Sequence, residues 1–152
     1  MPPELKKAAI FTDGACKGNP GPGGYGGIVK INGEVFEFKG GAKETTNNIM
    51  EMTAAIVALK KLEEPCEVEL TTDSQYLVKG ITQWLPNWAA RGWTTASRQP
   101  VKNKALWKEL EQLNQTHRIS WIWTRGHSGH PENERADQLA NEAVAELYQG
   151  RF

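Results

Sequence analysis

The sequence predicts an α/β protein built on one five-stranded mixed sheet with helices on both faces. Three observations carry this. Apolar segments of strand length crowd the first part of the chain and are joined by the turn pair Asn32-Gly33, so they pair as hairpins. From residue 45 onward the pattern alternates between helical and strand periodicity. Strands separated by helices return in parallel, and hairpin strands joined to them make the sheet mixed.

Residues 8–13 read as the first strand, and residues 24–31 and 34–39 as the next two. "TTNNIMEMTAAIVALKKLEE" is a helix, with Asn47 or Asn48 as its cap and Pro65 beyond its end. "CEVELTT" alternates as a strand, and "DSQYLVKGI" starts a helix. Pro86 breaks that helix or opens a second short one, as its fixed φ allows. "KALWKELEQLN" is helical, "RISWIWT" is a strand, and "PENERADQLANEAVAELY" closes the chain as a helix. Trp121 and Trp123 lie within that last strand and are expected in the core.

With 152 residues, the chain has the size of a single domain over residues 1–152, with a core from about residue 8 to residue 148. Lys+Arg and Asp+Glu each number 18, a balance that excludes a wholesale polyanion binder but leaves room for a local basic surface. No apolar run is long enough to span a bilayer, and "MPPELKKAAIF" lacks a signal-peptide core. Cys16 and Cys66 have neither metal-ligand spacing nor a disulfide framework. A reduced, cytoplasmic protein without membrane contact is the expectation.

Four carboxylates stand where a carboxylate is uncomfortable. Asp13 closes the first apolar strand and precedes "GACKGNPGPGGYGG". Taken alone, Asp13-Gly14 is a hairpin turn. Glu51 falls in the first turn of its helix, where the dipole favours an acid, yet Ala54, Ala55, Ala58 and Leu62 place it on the inward face. Asp73 ends a strand, and by itself reads as a helix N-cap. Asp137 sits in mid-helix among Ala136, Ala140 and Val144, a poor place for Asp by propensity. In open sheets, sites gather at the carboxyl ends of strands, which Asp13 and Asp73 occupy. Clustered carboxylates repel and need a counter-charge. An all-oxygen set favours Mg²⁺ or Mn²⁺ over zinc.

"FTDGACKGNPGPGGYG", "TTNNIMEMTAA", "TTDSQYLVKGI" and "TRGHSGHPENERADQLA" resemble the four motif blocks of bacterial type 1 ribonuclease H. The blocks occur in the family's order and span about Ile10 to Ala143. The resemblance implies a single ribonuclease H domain, an endonuclease that cuts the RNA strand of an RNA–DNA hybrid duplex and leaves 5′-phosphate and 3′-hydroxyl ends. It implies that Asp13, Glu51, Asp73 and Asp137 hold two Mg²⁺ ions, for which Mn²⁺ can substitute, with Asp13 bridging them. His127 then assists proton transfer or product release, and His130 is structural or starts the last helix. The glycines after Asp13 are expected to let the backbone approach a nucleic acid closely.

The same resemblance implies a substrate surface. Asn19, Asn47, Asn48 and Gln75 match positions that contact the minor groove, and Cys16 one near the RNA strand through packing and backbone contact. Thr46 and Asn103 match positions that hold a phosphate of the DNA strand. Tyr76, Trp84 and Trp88 match a channel for its deoxyriboses, although tryptophans at i, i+4 also suit core packing. A monomer is expected. Two departures bear on affinity. Ala89 and Ala90 stand where lysines of a basic protrusion often occur, leaving Arg91, Arg98, Lys102 and Lys104. Glu44 stands where a basic residue commonly grips the DNA phosphate, with Lys43 beside it as a substitute. A transposase- or resolvase-like nuclease and a catalytically silent hybrid-binding module are the rival readings; the first usually brings further domains, and the second has no use for four acids.

Overall fold

A computed structural model describes residues 5–125 and 131–148. Strands β1 (Lys6–Cys16), β2 (Gly21–Ile31) and β3 (Glu34–Thr45) form an antiparallel meander. The β2–β3 turn carries Asn32 at φ 54° and Gly33 at φ 76°, the two left-handed residues that a twisted two-residue hairpin requires. Strands β4 (Cys66–Thr72) and β5 (Arg118–Trp123) add in parallel on the other side of β1, giving the order β3-β2-β1-β4-β5. The sheet is five-stranded and mixed.

Helices cover both faces. On one lie α1 (Asn47–Lys60) and α4 (Lys104–Thr116). Their Met52, Ala55, Leu59, Trp107 and Leu110 pack with Ile10, Val29, Val68 and Leu70 of the sheet. Leu59, Leu70 and Leu110 are fully buried, each worth about 1.5–3 kcal/mol relative to exposure. In β4 the alternation sets Cys66, Val68 and Leu70 inward and Glu67 and Glu69 outward. The other face receives α5 (Pro131–Tyr148), whose Ala136, Leu139 and Ala140 lie against glycines of β2. Between β4 and α4 run α2 (Gln75–Lys79), a π-helical turn over Gly80–Trp84, and α3 (Leu85–Ala90).

Several expectations change. Asp13-Gly14 is not a turn: β1 continues through both to Cys16, because β2 keeps pairing with it as far as Cys16↔Gly23. What ends near Asp13 is the parallel ladder with β4, whose last pair is Phe11↔Thr71. All three meander strands are longer than their apolar runs, since glycine-rich and polar residues still pair through the backbone. The α1 cap is Thr46, whose hydroxyl accepts from Ile49 N at 3.2 Å; Asn47 and Asn48 are already helical. Glu51 therefore lies beyond the first turn, and the helix dipole does not account for it. Asp73 is not a cap either, because Ser74 fills that role for α2 with Oγ accepting from Leu77 N at 3.1 Å. Pro86 sits in the first turn of α3 without breaking the α2–α3 run. Trp123 is exposed, not core: β5 is an edge strand. Its Nε1 donates to the Asp73 carbonyl at 3.1 Å. Trp121 is half-buried against the core and donates to Asn114 Oδ1 at 2.9 Å.

Candidate metal centre

Asp13 sits on β1 two residues past the last parallel pair, and Asp73 two residues past the same pair on β4. Extending that register would set them opposite each other, where the two strands part. Asp13 pairs with Gly26 across the antiparallel ladder, so its side chain shares the face of the sheet on which α5 lies. Glu51 comes from α1, on the opposite face, and reaches the opening between β1 and β4.

Carboxylate oxygens of Asp13, Glu51 and Asp73 lie within 4.8 Å of one another. Together with Asp137 they line an open, polar cavity of about 320 Å³ that also includes Gly14, Asn47, Asn48, Ser74, Gln75 and Tyr76. Asp13 and Glu51 are buried, while Asp73 and Asp137 are half-buried. Asp13 Oδ1 accepts from Gly14 N at 2.8 Å. Asp137 Oδ1 accepts from Asn141 Nδ2 at 3.2 Å, one helical turn on.

This crowding has an electrostatic signature. Burial first, then the Asp73 carboxylate, push Asp13 from 3.8 up to about 8, and Asp137 adds to the push. Burial, then Asp13 and Asp73, hold Glu51 well above the ordinary carboxylate range. Without a cation, part of the cluster must be protonated at neutral pH. Glu51 Oε1 is also buried with no hydrogen-bond partner. A hard divalent ion would engage that oxygen and supply the missing counter-charge, so the residues fit Mg²⁺ or Mn²⁺ on chemical grounds. Among the described residues, this is the group of side chains with that arrangement.

The other expected residues fall in three places. Asn47, Asn48, Gln75 and Tyr76 border the acid cavity. Asn19, Cys16 and Thr46 lie beside it, where the β1–β2 loop meets the start of α1. Asn19 Oδ1 accepts from Asn47 N at 3.1 Å, and Cys16 Sγ donates to Gly21 O and Thr45 O, at 3.5 and 3.4 Å. Cys16 thus packs against the protein's own backbone. Trp84 and Trp88 belong to a second cavity of about 430 Å³, with Asn87, Arg91 and Ala96. An aromatic chain joins the two cavities: Tyr76 to Trp84 at 5.9 Å, Trp84 to Trp88 at 5.9 Å, and Trp88 to the buried Trp107 at 5.5 Å. The two tryptophans are thus half-buried, packed at their inner edges and open at their outer ones. Asn103 Nδ2 donates to Tyr76 Oη at 3.2 Å, tying the start of α4 to this chain. His127 and His130 lie outside the described residues.

Residues 5–145 match the family model for RNase H. The chain belongs to the ribonuclease H family. A ribonuclease H from Alcanivorax borkumensis is 58% identical over 143 residues, 94% of this chain and 95% of that one. One from Mesorhizobium japonicum is 54% identical over 147 residues, 97% of this chain and 83% of the other. Among solved structures, LC9-RNase H1, described as a type 1 RNase H with the type 2 active-site motif, has a TM-score of 0.84 at 34% identity, covering 96% of this chain and 75% of that one. LC11-RNase H1 in complex with an RNA/DNA hybrid has a TM-score of 0.68 at 27% identity, covering 93% and 99%. As a ribonuclease H, the chain is an enzyme, a nuclease whose family cleaves the RNA strand of hybrids.

Two features of the site escaped the sequence. Asn141 holds Asp137, and the i, i+4 spacing on one helix was the available signal. Ser74, which frees Asp73 from capping, competes with Asp73 for the same role in sequence, and only the backbone geometry separates them.

Proposed function

We propose that this ribonuclease H hydrolyses the RNA strand of RNA–DNA hybrids with two divalent ions held by Asp13, Glu51, Asp73 and Asp137, leaving 5′-phosphate and 3′-hydroxyl ends. The observation that carries the reading is the shared cavity of four carboxylates in which Glu51 Oε1 is buried without a partner. Bound there, Mg²⁺ or Mn²⁺ supplies Lewis acidity at the attacking water and at the leaving 3′-oxygen. The protein's part is to hold the acids buried and close together, which raises their pKa values and costs stability until a counter-charge binds. Asp13 interacts electrostatically with each of the other three acids, so it would be a ligand in either half of the cluster. Asn141 donates to Asp137 Oδ1 and holds that carboxylate at the cavity. His127 assists proton transfer or product release.

Selection of a hybrid falls to the amides. Asn47, Asn48 and Gln75 are exposed at the mouth of the acid cavity, where amide groups read 2′-hydroxyls and base edges. Asn19 and Cys16 continue that edge. Tyr76, Trp84 and Trp88 offer flat apolar faces to deoxyribose, and Thr46 and Asn103 offer a hydroxyl and an amide to a DNA phosphate. Support comes from the cavity lined by Trp84 and Trp88, which the Tyr76–Trp84 ring contact links to the acid cavity that Tyr76 borders. Exposed Ala89 and Ala90 stand beside that cavity without charge. A cytoplasmic monomer is the matching expectation; among the described residues no helix is long and apolar enough to cross a membrane. Matched RNA–DNA, RNA–RNA and DNA–DNA duplexes, incubated with and without Mg²⁺, test the reading. Cleavage confined to the RNA strand of the hybrid and requiring the ion is expected; equal cutting of duplex RNA would sink it.

A further inference from the structure

Two glycines flank Asp13, and each touches the backbone of a different helix. Gly14 follows it in β1, and Gly26 is its register partner in β2. A Cβ built on Gly14 would lie 2.7 Å from Glu51 N, 2.8 Å from the Met50 carbonyl carbon and 3.0 Å from Met50 Cβ. One built on Gly26 would lie 2.6 Å from Leu139 Cβ, 2.8 Å from Ala140 N and 3.0 Å from Ala136 O. Ordinary carbon contacts are about 3.5–4.0 Å, so either methyl requires a retreat on the order of 1 Å. The obstacles are backbone and Cβ atoms, which cannot rotate away. They are also local to the acids: Glu51 itself on α1, and the turn 136–140 that contains Asp137 on α5.

We propose that Gly14 and Gly26 are positioning residues for the metal centre, Gly14 setting the approach of Glu51 to Asp13 and Gly26 that of Asp137. The inference rests on the metal-binding role of the four acids. It replaces the expectation that these glycines serve close approach to nucleic acid, because at both positions the missing side chain is filled by helix backbone. Metal ligands tolerate displacements of a few tenths of an ångström, well below what either methyl would impose. Glycine in a strand interior weakens the strand, so its use at two positions around one carboxylate has a cost that close helix approach offsets. Gly24, whose Cβ would lie 2.3 Å from Ala140 O, extends the same seat for α5.

The test separates positioning from stability. Mn²⁺ titrated calorimetrically into free protein should bind Gly14→Ala about tenfold more weakly than the parent. Gly26→Ala should raise the Mg²⁺ concentration giving half-maximal cleavage by about tenfold. Adding Asp137→Glu to Gly26→Ala, one methylene longer, should lower that concentration about threefold, while the same change in the parent raises it. Gly80→Ala is the control: its Cβ would meet the Trp107 ring at 2.0 Å and not the backbone of a helix that carries an acid, so it should lose melting temperature and keep parental Mn²⁺ affinity. Should Gly26→Ala not fold, the Gly14→Ala titration carries the test alone. Parental metal affinity in Gly14→Ala, or a Gly80→Ala defect as large, overturns the inference while leaving the metal site standing. A parent that binds no Mn²⁺ overturns the metal site itself.

Discussion

Without metal at pH 8, Asp13→Asn should melt higher than the parent. Asp13 is buried, and burial and Asp73 raise its pKa from 3.8 to about 8. A carboxyl whose folded pKa exceeds its unfolded one contributes stability that is fully present below about pH 4. That contribution is lost progressively as pH rises towards 8, because the folded state binds the extra proton. Each unit of displacement corresponds to about 1.4 kcal/mol, so the full displacement from 3.8 to about 8 costs at most about 6 kcal/mol. Relaxation of the carboxylates into the open cavity returns part of this, leaving about 2 kcal/mol. Asn keeps the acceptor for Gly14 N and carries no charge. For a chain of this size the gain is roughly 4–8 °C at pH 8 and close to zero at pH 4. Differential scanning calorimetry in chelator between pH 4 and 8.5 measures it. Mg²⁺ should then raise the parent's melting temperature at pH 8 and largely close the gap. A variant no more stable than the parent at pH 8, or equally stabilised at both pH values, would refute the reasoning.

Four further outcomes are expected. Asp73→Asn abolishes hybrid cleavage in Mg²⁺, whereas Asp137→Asn, which can still offer one oxygen, retains a measurable rate; single-turnover assays distinguish them. Ala89→Lys with Ala90→Lys lowers KM more than it changes kcat, since both positions are exposed and away from the acids. The pair also steepens the salt dependence of binding by about 1.5 log units per log unit of salt, as titrations of hybrid affinity against salt would reveal. Arg98 holds φ 64° on the surface, so Arg98→Gly should stabilise by about 1 kcal/mol, read from urea midpoints at unchanged m. His117 is buried with Nδ1 accepting from Cys66 N at 3.0 Å, and burial lowers its pKa. Its contribution is therefore present above the unfolded value of about 6.5 and lost as pH falls through the folded one, a sign opposite to that of Asp13. His117→Asn should flatten that acid limb in calorimetry.

The sequence by itself determined much about this protein. Periodicity located the five strands and the longer helices, because the pattern of a buried face is local, but it cut the meander strands short and left open what Pro86 does. Asn32-Gly33 specified its turn through the two positive φ values it tolerates. Four motif blocks in order named the family, and with it the acids. The tertiary structure decided what depends on neighbours distant in the chain. Asp13-Gly14 carries a strong hairpin signal, yet pairing with β2 holds it extended, since a ladder already formed up to Thr12↔Gly27 continues at little further entropic cost. Trp123 alternates like a core residue but lies on an edge strand, where nothing in the strand's own sequence records that one side has no neighbour. Asp73 and Ser74 are both good caps, and only the direction in which the chain leaves β4 gives the cap to Ser74 and the carboxylate to the cavity. From sequence, the glycines after Asp13 are expected to admit a nucleic acid closely, yet Gly14 and Gly26 face the backbone of α1 and α5, because a missing Cβ acquires meaning only from the atoms that fill its place. The meeting of Asp13, Glu51, Asp73 and Asp137 is of the same kind: two strands, two helices and both faces of a sheet must close before any of the four feels the others.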